Sequence, residues 1–90
     1  MYALLFSKVA IKQLKEQKHS QPHNYKKIQK LLAELQEHPR SGTGHPEPRL
    51  GGNNELYSRR INKKDRLIYE IHDGVCTVLI LTAEGHYSDK

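Results

Sequence analysis

The stretch RLIYEIHDGVCTVLILT, residues 66–82, decides the fold of this 90-residue chain. Apolar and polar residues largely alternate over residues 66–72, which predicts a half-buried strand. Asp73 and Gly74 then form a dipeptide typical of a tight hairpin turn, because both positions tolerate a positive φ. Residues 75–82 are apolar on both faces, as expected for a strand at the centre of a sheet. The stretch therefore predicts an antiparallel hairpin.

Two further strands are predicted on either side of this hairpin in the sequence. ELYSRRI (residues 55–61) alternates in the same way, and NKKD (62–65) forms the turn that connects it to residue 66. YALLF (2–6), at the beginning of the chain, is short, apolar and aromatic, and we interpret it as the first strand.

Two helices are predicted between the first and second strands. Ser7 is placed to cap a helix over residues 8–18. Pro22 suits the first turn of a second helix, which runs to about His38 and is ended by Pro39. The second helix carries an apolar stripe of Tyr25, Ile28, Leu31, Leu32 and Leu35. The order is β-α-α-β-β-β, which predicts a single α+β domain over residues 1–90, a helical hairpin packed on a small antiparallel sheet.

Residues 40–54 are predicted to form a loop, because they are rich in glycine and proline and poor in apolar side chains. A loop of this length in a small domain is usually either functional or disordered. Pro46 and Pro48 restrict the backbone on both sides of Glu47, which argues against a flexible linker.

The net charge of +5 is unevenly distributed. Seven lysines lie between residues 8 and 30 against a single acid, and a second basic group spans residues 59–66. Each group alone is more often a solvated surface, but two on so small a domain favour a nucleic-acid or ribosome-like partner. The single cysteine excludes an internal disulfide, and no apolar run is long enough to cross a bilayer, so we expect a cytoplasmic protein.

Several kinds of site are not expected from the sequence. His19 and His23 have helical ligand spacing, but they flank a predicted helix break, and we expect no metal or cofactor. Cys76 is predicted to be a core thiol inside the last strand. GTGHPEP (residues 42–48) has the glycines of a phosphate-binding loop but lacks the helix that should follow.

Four residues are instead expected to share one edge of the sheet. Antiparallel pairing places Arg66, at the start of one strand, beside His86 and Tyr87, which follow the end of the next. The loop bearing Glu47 leads into the neighbouring strand and can approach from the side. A carboxylate, a guanidinium, an imidazole and a phenol suit metal-free RNA cleavage. Such a reaction needs a base for the ribose 2′-OH, an acid for the leaving oxygen and a cation for the phosphorane.

These residues also carry a resemblance. GTGHPEP, then SRRINKKDRLIY (residues 58–69), then GHY (85–87) resembles the YoeB branch of the RelE-type toxins of bacterial toxin–antitoxin modules. The resemblance implies a microbial-ribonuclease-like fold and a ribosome-dependent endoribonuclease that cuts mRNA in the ribosomal A site. It also implies a cognate antitoxin of the YefM or Phd kind, and a toxin–antitoxin complex that binds operator DNA to repress its own operon.

Carried over residue by residue, the resemblance assigns the general base to Glu47, the phosphate-stabilising cation to Arg66, the general acid to His86 and a substrate contact to Tyr87. From the residues alone, a lysine remains an alternative base. Ser88, Asp89 and Lys90 extend the chain past the tyrosine. The predicted RNA-binding residues are Arg59, Arg60, Lys63 and Lys64.

Two other functions remain as alternatives. The first is a non-enzymatic gyrase poison of the ParE type on the same fold, although such relatives lack the Glu, Arg and His-Tyr set. The second is a basic DNA-binding co-repressor, although no helix-turn-helix pattern is visible.

Overall fold

The computed structural model describes residues 1–49 and 55–83. In chain order the elements are β1 (Ala3–Phe6), α1 (Lys8–Ser20), α2 (Pro22–Glu37), β2 (Glu47–Arg49), β3 (Glu55–Arg60), β4 (Arg66–His72), a 3₁₀ turn (Asp73–Val75) and β5 (Thr77–Thr82). The strands form one sheet in the order β1-β5-β4-β3-β2, and the two helices pack on it. The predicted α+β class with a helical hairpin on a sheet is confirmed.

The sheet differs from the prediction in two ways. It is mixed, because β1 pairs with β5 in parallel, from Ala3 opposite Thr77 to Phe6 opposite Ile80. It also contains the short strand β2 within the stretch that was predicted to be loop. Neither feature leaves a local signal, since the parallel pair is not joined by a hairpin and β2 includes a proline in a stretch rich in glycine and proline.

The helix boundaries follow their predicted signals, except that α1 extends to Ser20, two residues past its predicted end. The Ser7 side chain accepts a hydrogen bond from the Ala10 backbone N–H at 3.0 Å, which is the expected N-cap of α1. Its hydroxyl also donates to the Leu81 carbonyl at 2.6 Å, which ties the helix start to β5. Pro22 occupies the first turn of α2, and the helix ends one residue before the His38 cap that precedes Pro39.

The β4–β5 connection is longer than the predicted two-residue turn. Residues 73–75 form a 3₁₀ turn, Cys76 follows with φ 47°, and β5 begins only at Thr77. Cys76 is exposed, so the prediction of a core thiol was wrong. The 3₁₀ turn and the positive φ of Cys76 leave its side chain exposed, although its carbonyl accepts a hydrogen bond from the Ala3 N–H at 2.8 Å.

The core lies between the helices and one face of the sheet. The apolar stripe of α2 supplies Ile28, Leu31 and Leu35, which are fully buried. The buried cluster comprises Ala10, Ile28, Leu31, Leu35, Ile61, Leu67, Tyr69, Ile71, Val78, Ile80 and Ala83. Burial of these apolar side chains supplies the main driving force for folding.

A polar cluster around Arg40 ties distant segments together at the surface. The Arg40 guanidinium donates to both carboxylate oxygens of Glu55 at 2.7 Å and to Asp73 Oδ2 at 2.5 Å. The Tyr2 hydroxyl donates to the other oxygen of Asp73, also at 2.5 Å. The Tyr2 and Arg40 hydrogen bonds lower the pKa of Asp73. The cluster joins the chain start, the α2–β2 connection, β3 and the turn before β5.

Within residues 1–49 and 55–83, no helix has the length and apolar content needed to cross a membrane.

Candidate functional site

We call the sheet surface that faces away from α1 and α2 the outer face. Leu67, Tyr69 and Ile71 of β4 belong to the helix-side core, so the alternate residues Arg66, Ile68 and Glu70 lie on the outer face. The pairing of β4 with β3 and β5, and of β3 with β2, then shows which residues of those strands lie on the same face.

Strand β2 places Glu47 on the outer face. Glu47 lies opposite Ser58 on β3, Ser58 lies opposite Ile68 on β4, and Ile68 lies opposite Thr82 on β5. These four residues form one row across the sheet. The Glu47 side chain is 49% exposed, whereas Ser58 and Ile68 are buried, so the carboxylate stands at the accessible end of the row.

Arg60 and Arg66 occupy the adjacent row of the outer face. They lie directly opposite each other, two residues along from Ser58 and Ile68 respectively. From the usual strand spacing and rise, the Cα atoms of Glu47 and Arg66 are about 12 Å apart. At this Cα separation, the long side chains of Glu47 and Arg66 can both reach a phosphodiester that lies between them. The structure therefore brings Glu47 and Arg66 to one surface, and it does so through strand pairing.

The Arg66 guanidinium is anchored by the turn that precedes it. Its Nη1 donates to the carbonyls of Asn62 (3.1 Å), Lys63 (3.4 Å) and Asp65 (3.3 Å). Within the described parts of the chain, Nε and Nη2 donate no hydrogen bond. An arginine held by one nitrogen while others remain available is suited to receive an anion with little loss of side-chain entropy.

His86 and Tyr87 lie outside the described residues, so their predicted positions stay predictions. The described chain leaves the sheet after Thr82, which is the β5 residue opposite Ile68 in the Glu47 row.

His45 is a residue near Glu47 that the sequence analysis did not single out. Its Nε2 lies 3.7 Å from Glu47 Oε2, and its side chain is 67% exposed. It has φ 55°, in the left-handed region that residues other than glycine rarely adopt. Strained backbone of this kind concentrates at functional sites, but no sequence signal indicates it in advance.

The α2–β2 connection that leads to Glu47 is held by Arg59. This guanidinium donates to the carbonyls of Ser41 (2.7 Å), Thr43 (3.3 Å) and His38, and to Glu34 Oε1 (2.9 Å). The same Glu34 oxygen accepts from the Thr43 N–H at 2.8 Å. Hydrogen bonds from Thr43, reinforced by the charge of Arg59, lower the pKa of Glu34.

Tyr69 completes this network from the core side. Arg59 Nε donates to the Tyr69 hydroxyl at 3.1 Å, and that hydroxyl donates to the Pro39 carbonyl at 2.8 Å. Burial raises the pKa of Tyr69, so the phenol stays protonated and able to donate. The network holds the first part of the connection, from His38 to Thr43.

Two glycines of the GTGHPEP motif allow the connection to approach this network. Gly42 has φ +122°, and an added Cβ would lie 2.5 Å from Glu34 Oε1. Gly44 has φ +87°, its carbonyl accepts from the Arg60 N–H at 2.6 Å, and an added Cβ would lie 3.0 Å from the Arg60 carbonyl oxygen. The motif thus serves close packing against α2 and β3.

The basic residues predicted to bind RNA divide into two groups. Arg59 is completely buried and bonded to the loop, so the structure conflicts with its prediction as an RNA contact. Its side chain points to the helix side of β3 because strand residues alternate, which sends its neighbour Arg60 to the outer face. Arg60, Lys63 and Lys64 are exposed.

In residues 1–49 and 55–83, no three His, Cys, Asp or Glu side chains come together in a way that would hold a metal ion.

Comparisons with known proteins give the family. A profile described as "YoeB-like toxin of bacterial type II toxin-antitoxin system" matches residues 6–87. The chain is 40% identical to "Toxin YoeB" of Mycobacterium bovis over 62 residues, 69% of this chain and 71% of that protein. It is 37% identical, again over 62 residues, to "Toxin YoeB" of Streptomyces coelicolor, with the same coverage of both chains.

Solved structures agree. A YoeB dimer from Staphylococcus aureus superposes with a TM-score of 0.81 at 32% identity, over 96% of this chain and 98% of that one. The toxin chain of a heterotetrameric YoeB–YefM complex from the same organism superposes with a TM-score of 0.78 at 31% identity, over 97% and 99%. The chain belongs to the YoeB-like toxins of bacterial type II toxin–antitoxin systems.

Proposed function

We propose that this toxin is a metal-independent endoribonuclease that cuts mRNA in the ribosomal A site. The observation that carries the proposal is the shared outer face of Glu47 and Arg66, a carboxylate and an anchored guanidinium borne by residues whose Cα atoms are about 12 Å apart. Exposed Arg60, Lys63 and Lys64 border this pair and supply positive charge for an RNA backbone.

In the proposed reaction, Glu47 takes the proton from the ribose 2′-OH, whose oxygen then attacks the adjacent phosphorus. Arg66 donates hydrogen bonds to the phosphate oxygens and stabilises the negative charge of the pentavalent phosphorane. The bond to the 5′-oxygen breaks, and that oxygen receives a proton from His86. Tyr87 contacts the substrate. The products are a 2′,3′-cyclic phosphate and a free 5′-hydroxyl.

We further propose that a cognate antitoxin neutralises the toxin and that the complex represses its own operon by binding operator DNA. The similarity to a toxin that forms a complex with YefM in S. aureus supports an antitoxin of the same kind. The proposed site of action, on translating ribosomes, places the protein in the cytoplasm.

The test is induction of the toxin in growing cells, followed by primer extension on mRNA. The wild type is expected to arrest growth and produce cuts in codon register. Arg66→Ala is expected to slow cleavage by about 10²- to 10³-fold, because a preorganised donor to the phosphorane is lost. His86→Gln is expected to abolish growth arrest.

The matched control is Gln29→Glu, which makes the same change in net charge as Arg66→Ala on the exposed surface of α2 and should leave toxicity unchanged. Full toxicity of Arg66→Ala would refute the assignment of the site. Growth arrest with DNA damage signals and no mRNA cuts would instead support a gyrase poison.

A further inference from the structure

We propose that Arg49 is an additional RNA-binding residue of the outer face, which contacts the phosphate next to the one held by Arg66. The inference rests on the proposed function, since it assigns a substrate contact within the same site. Arg49 lies at the end of β2, two residues after Glu47, so strand alternation places both side chains on the outer face.

A hydrogen bond supports this orientation. Arg49 Nε donates to the Ser58 hydroxyl at 3.1 Å, and Ser58 belongs to the outer face. This bond uses only one of the three nitrogens of the guanidinium. Within the described chain Arg49 Nη1 and Nη2 donate no hydrogen bond, which leaves two nitrogens to form a bidentate fork for a phosphate.

Within the row of outer-face residues that contains Arg49, the nearest acidic residue is Glu70, and it is not adjacent to Arg49. Arg49 is opposite Leu56 on β3, and Leu56 is opposite Glu70 on β4, so two strand spacings separate the arginine from Glu70. Glu70 itself pairs with His72 Nε2 at 3.0 Å. Leu56, between them, is buried and carries no charge.

The position of Arg49 relative to Glu47 determines which phosphate it meets. Arg60 and Arg66 lie one row to one side of the Glu47 row, and Arg49 lies one row to the other side. Adjacent rows are about 7 Å apart along the strands. An RNA strand bound here places its reactive ribose at Glu47 and its scissile phosphate at Arg66. The neighbouring phosphate of that strand then lies on the Arg49 side of Glu47.

The experiment measures binding of a short single-stranded RNA in which the ribose at the cleaved position is 2′-deoxy, so that binding is observed without cleavage. Fluorescence anisotropy is recorded over a range of salt concentrations. Arg49→Gln is expected to bind about tenfold more weakly than the wild type, the usual effect of losing one charge-assisted hydrogen bond. The slope of log K against log salt should fall in magnitude by about 0.7, the value for one phosphate contact on a single strand.

Two further variants separate a specific contact of Arg49 from a general effect of net charge. Gln29→Glu on α2 makes the same change in net charge away from the outer face and should keep the slope of the wild type. Arg49→Lys retains the positive charge without the fork, so it should keep most of the slope and bind with intermediate affinity.

The inference is overturned if Arg49→Gln matches Gln29→Glu in affinity and slope. It is also overturned if Arg49→Lys is as impaired as Arg49→Gln, or if the wild type does not bind the RNA. Cleavage of mRNA on programmed ribosomes is assayed in parallel. If the wild type never cuts mRNA but Arg49→Gln still shows the reduced slope, the proposed function is rejected and Arg49 remains an RNA contact. Normal cleavage of mRNA with an unchanged slope for Arg49→Gln would support the proposed function and reject Arg49 as an RNA contact.

Discussion

Replacing Glu34 with glutamine tests whether the buried Arg59 network holds the connection that leads to Glu47. Glu34 Oε1 accepts hydrogen bonds from Arg59 Nη1 and from the Thr43 N–H, at 2.9 and 2.8 Å. Glutamine has nearly the same shape and keeps a carbonyl oxygen that can accept both bonds. The substitution therefore removes the negative charge and little else.

The expected loss of stability follows from these two bonds. Hydrogen bonds to charged groups contribute about 1.5–3 kcal/mol and neutral ones about 0.5–1.5 kcal/mol, a difference of about 1 kcal/mol for each bond. The Arg59 side chain is fully buried, but Glu34 is 25% exposed and solvent screens part of its charge. We therefore expect Glu34→Gln to lower the free energy of unfolding by about 1–2 kcal/mol at pH 7. In a domain of this size this corresponds to a fall in Tm of roughly 5–15 °C.

The loss should depend on pH. The pKa of Glu34 is lowered in the folded protein, so the carboxylate stabilises the fold above its unfolded-state pKa, near 4.5. That contribution disappears as the pH falls through the folded-state value. The gap between wild type and Glu34→Gln should therefore be constant above about pH 5 and should narrow in more acidic solution.

The assay is urea unfolding at several pH values, with Glu37→Gln as the control. Glu37 is an exposed residue of the same helix, and its substitution makes the same change in net charge. The control should lie within about 0.5 kcal/mol of the wild type. If Glu34→Gln were equal to Glu37→Gln at pH 7, or if its deficit stayed constant down to pH 3, the Glu34–Arg59 pair would not stabilise the connection.

Two further predictions concern Gly44, whose packing role the sequence did not indicate, and Cys76, which the sequence placed in the core. Gly44→Ala should destabilise the fold by about 1–3 kcal/mol in thermal unfolding, because alanine at φ +87° is strained and its Cβ would press on the Arg60 carbonyl and Leu31. Gly74→Ala is the control, since an added Cβ there meets nothing within 4 Å; equal effects of the two substitutions would contradict the packing role of Gly44. Cys76 should react with a thiol reagent in the folded protein as readily as in urea, because it is exposed, and a requirement for denaturant would show that it is buried.

Much of the fold was predictable because its signals are local. The hairpin of residues 66–82, the Ser7 cap, the proline at the start of α2 and the turn over residues 62–65 each depend on neighbouring residues. For the candidate site, the expectation that Glu47 and Arg66 approach one another followed from the order of strands. The means of approach was missed, since the sequence suggested a loop that comes from the side.

Arg59 and Arg60 show most clearly where the sequence stops being informative. They are adjacent, chemically identical and part of one motif, yet one is fully buried and the other exposed. Alternation along a strand requires them to face opposite sides, but only the packing of α2 and of the connection at residues 42–44 determines which side is enclosed. The same packing gives Arg59 the acceptors that a buried guanidinium needs.

The sequence by itself determined the helices and the hairpin, because propensity, capping and turn chemistry act between neighbours in the chain, and it supplied the set of residues that we propose cleave RNA. The tertiary structure alone decided that β1 runs parallel to β5, that Glu47 stands on a strand paired with Ser58, that Arg59 is internal and that Cys76 is exposed. Each of these depends on register and burial, which arise from contacts between residues far apart in the sequence.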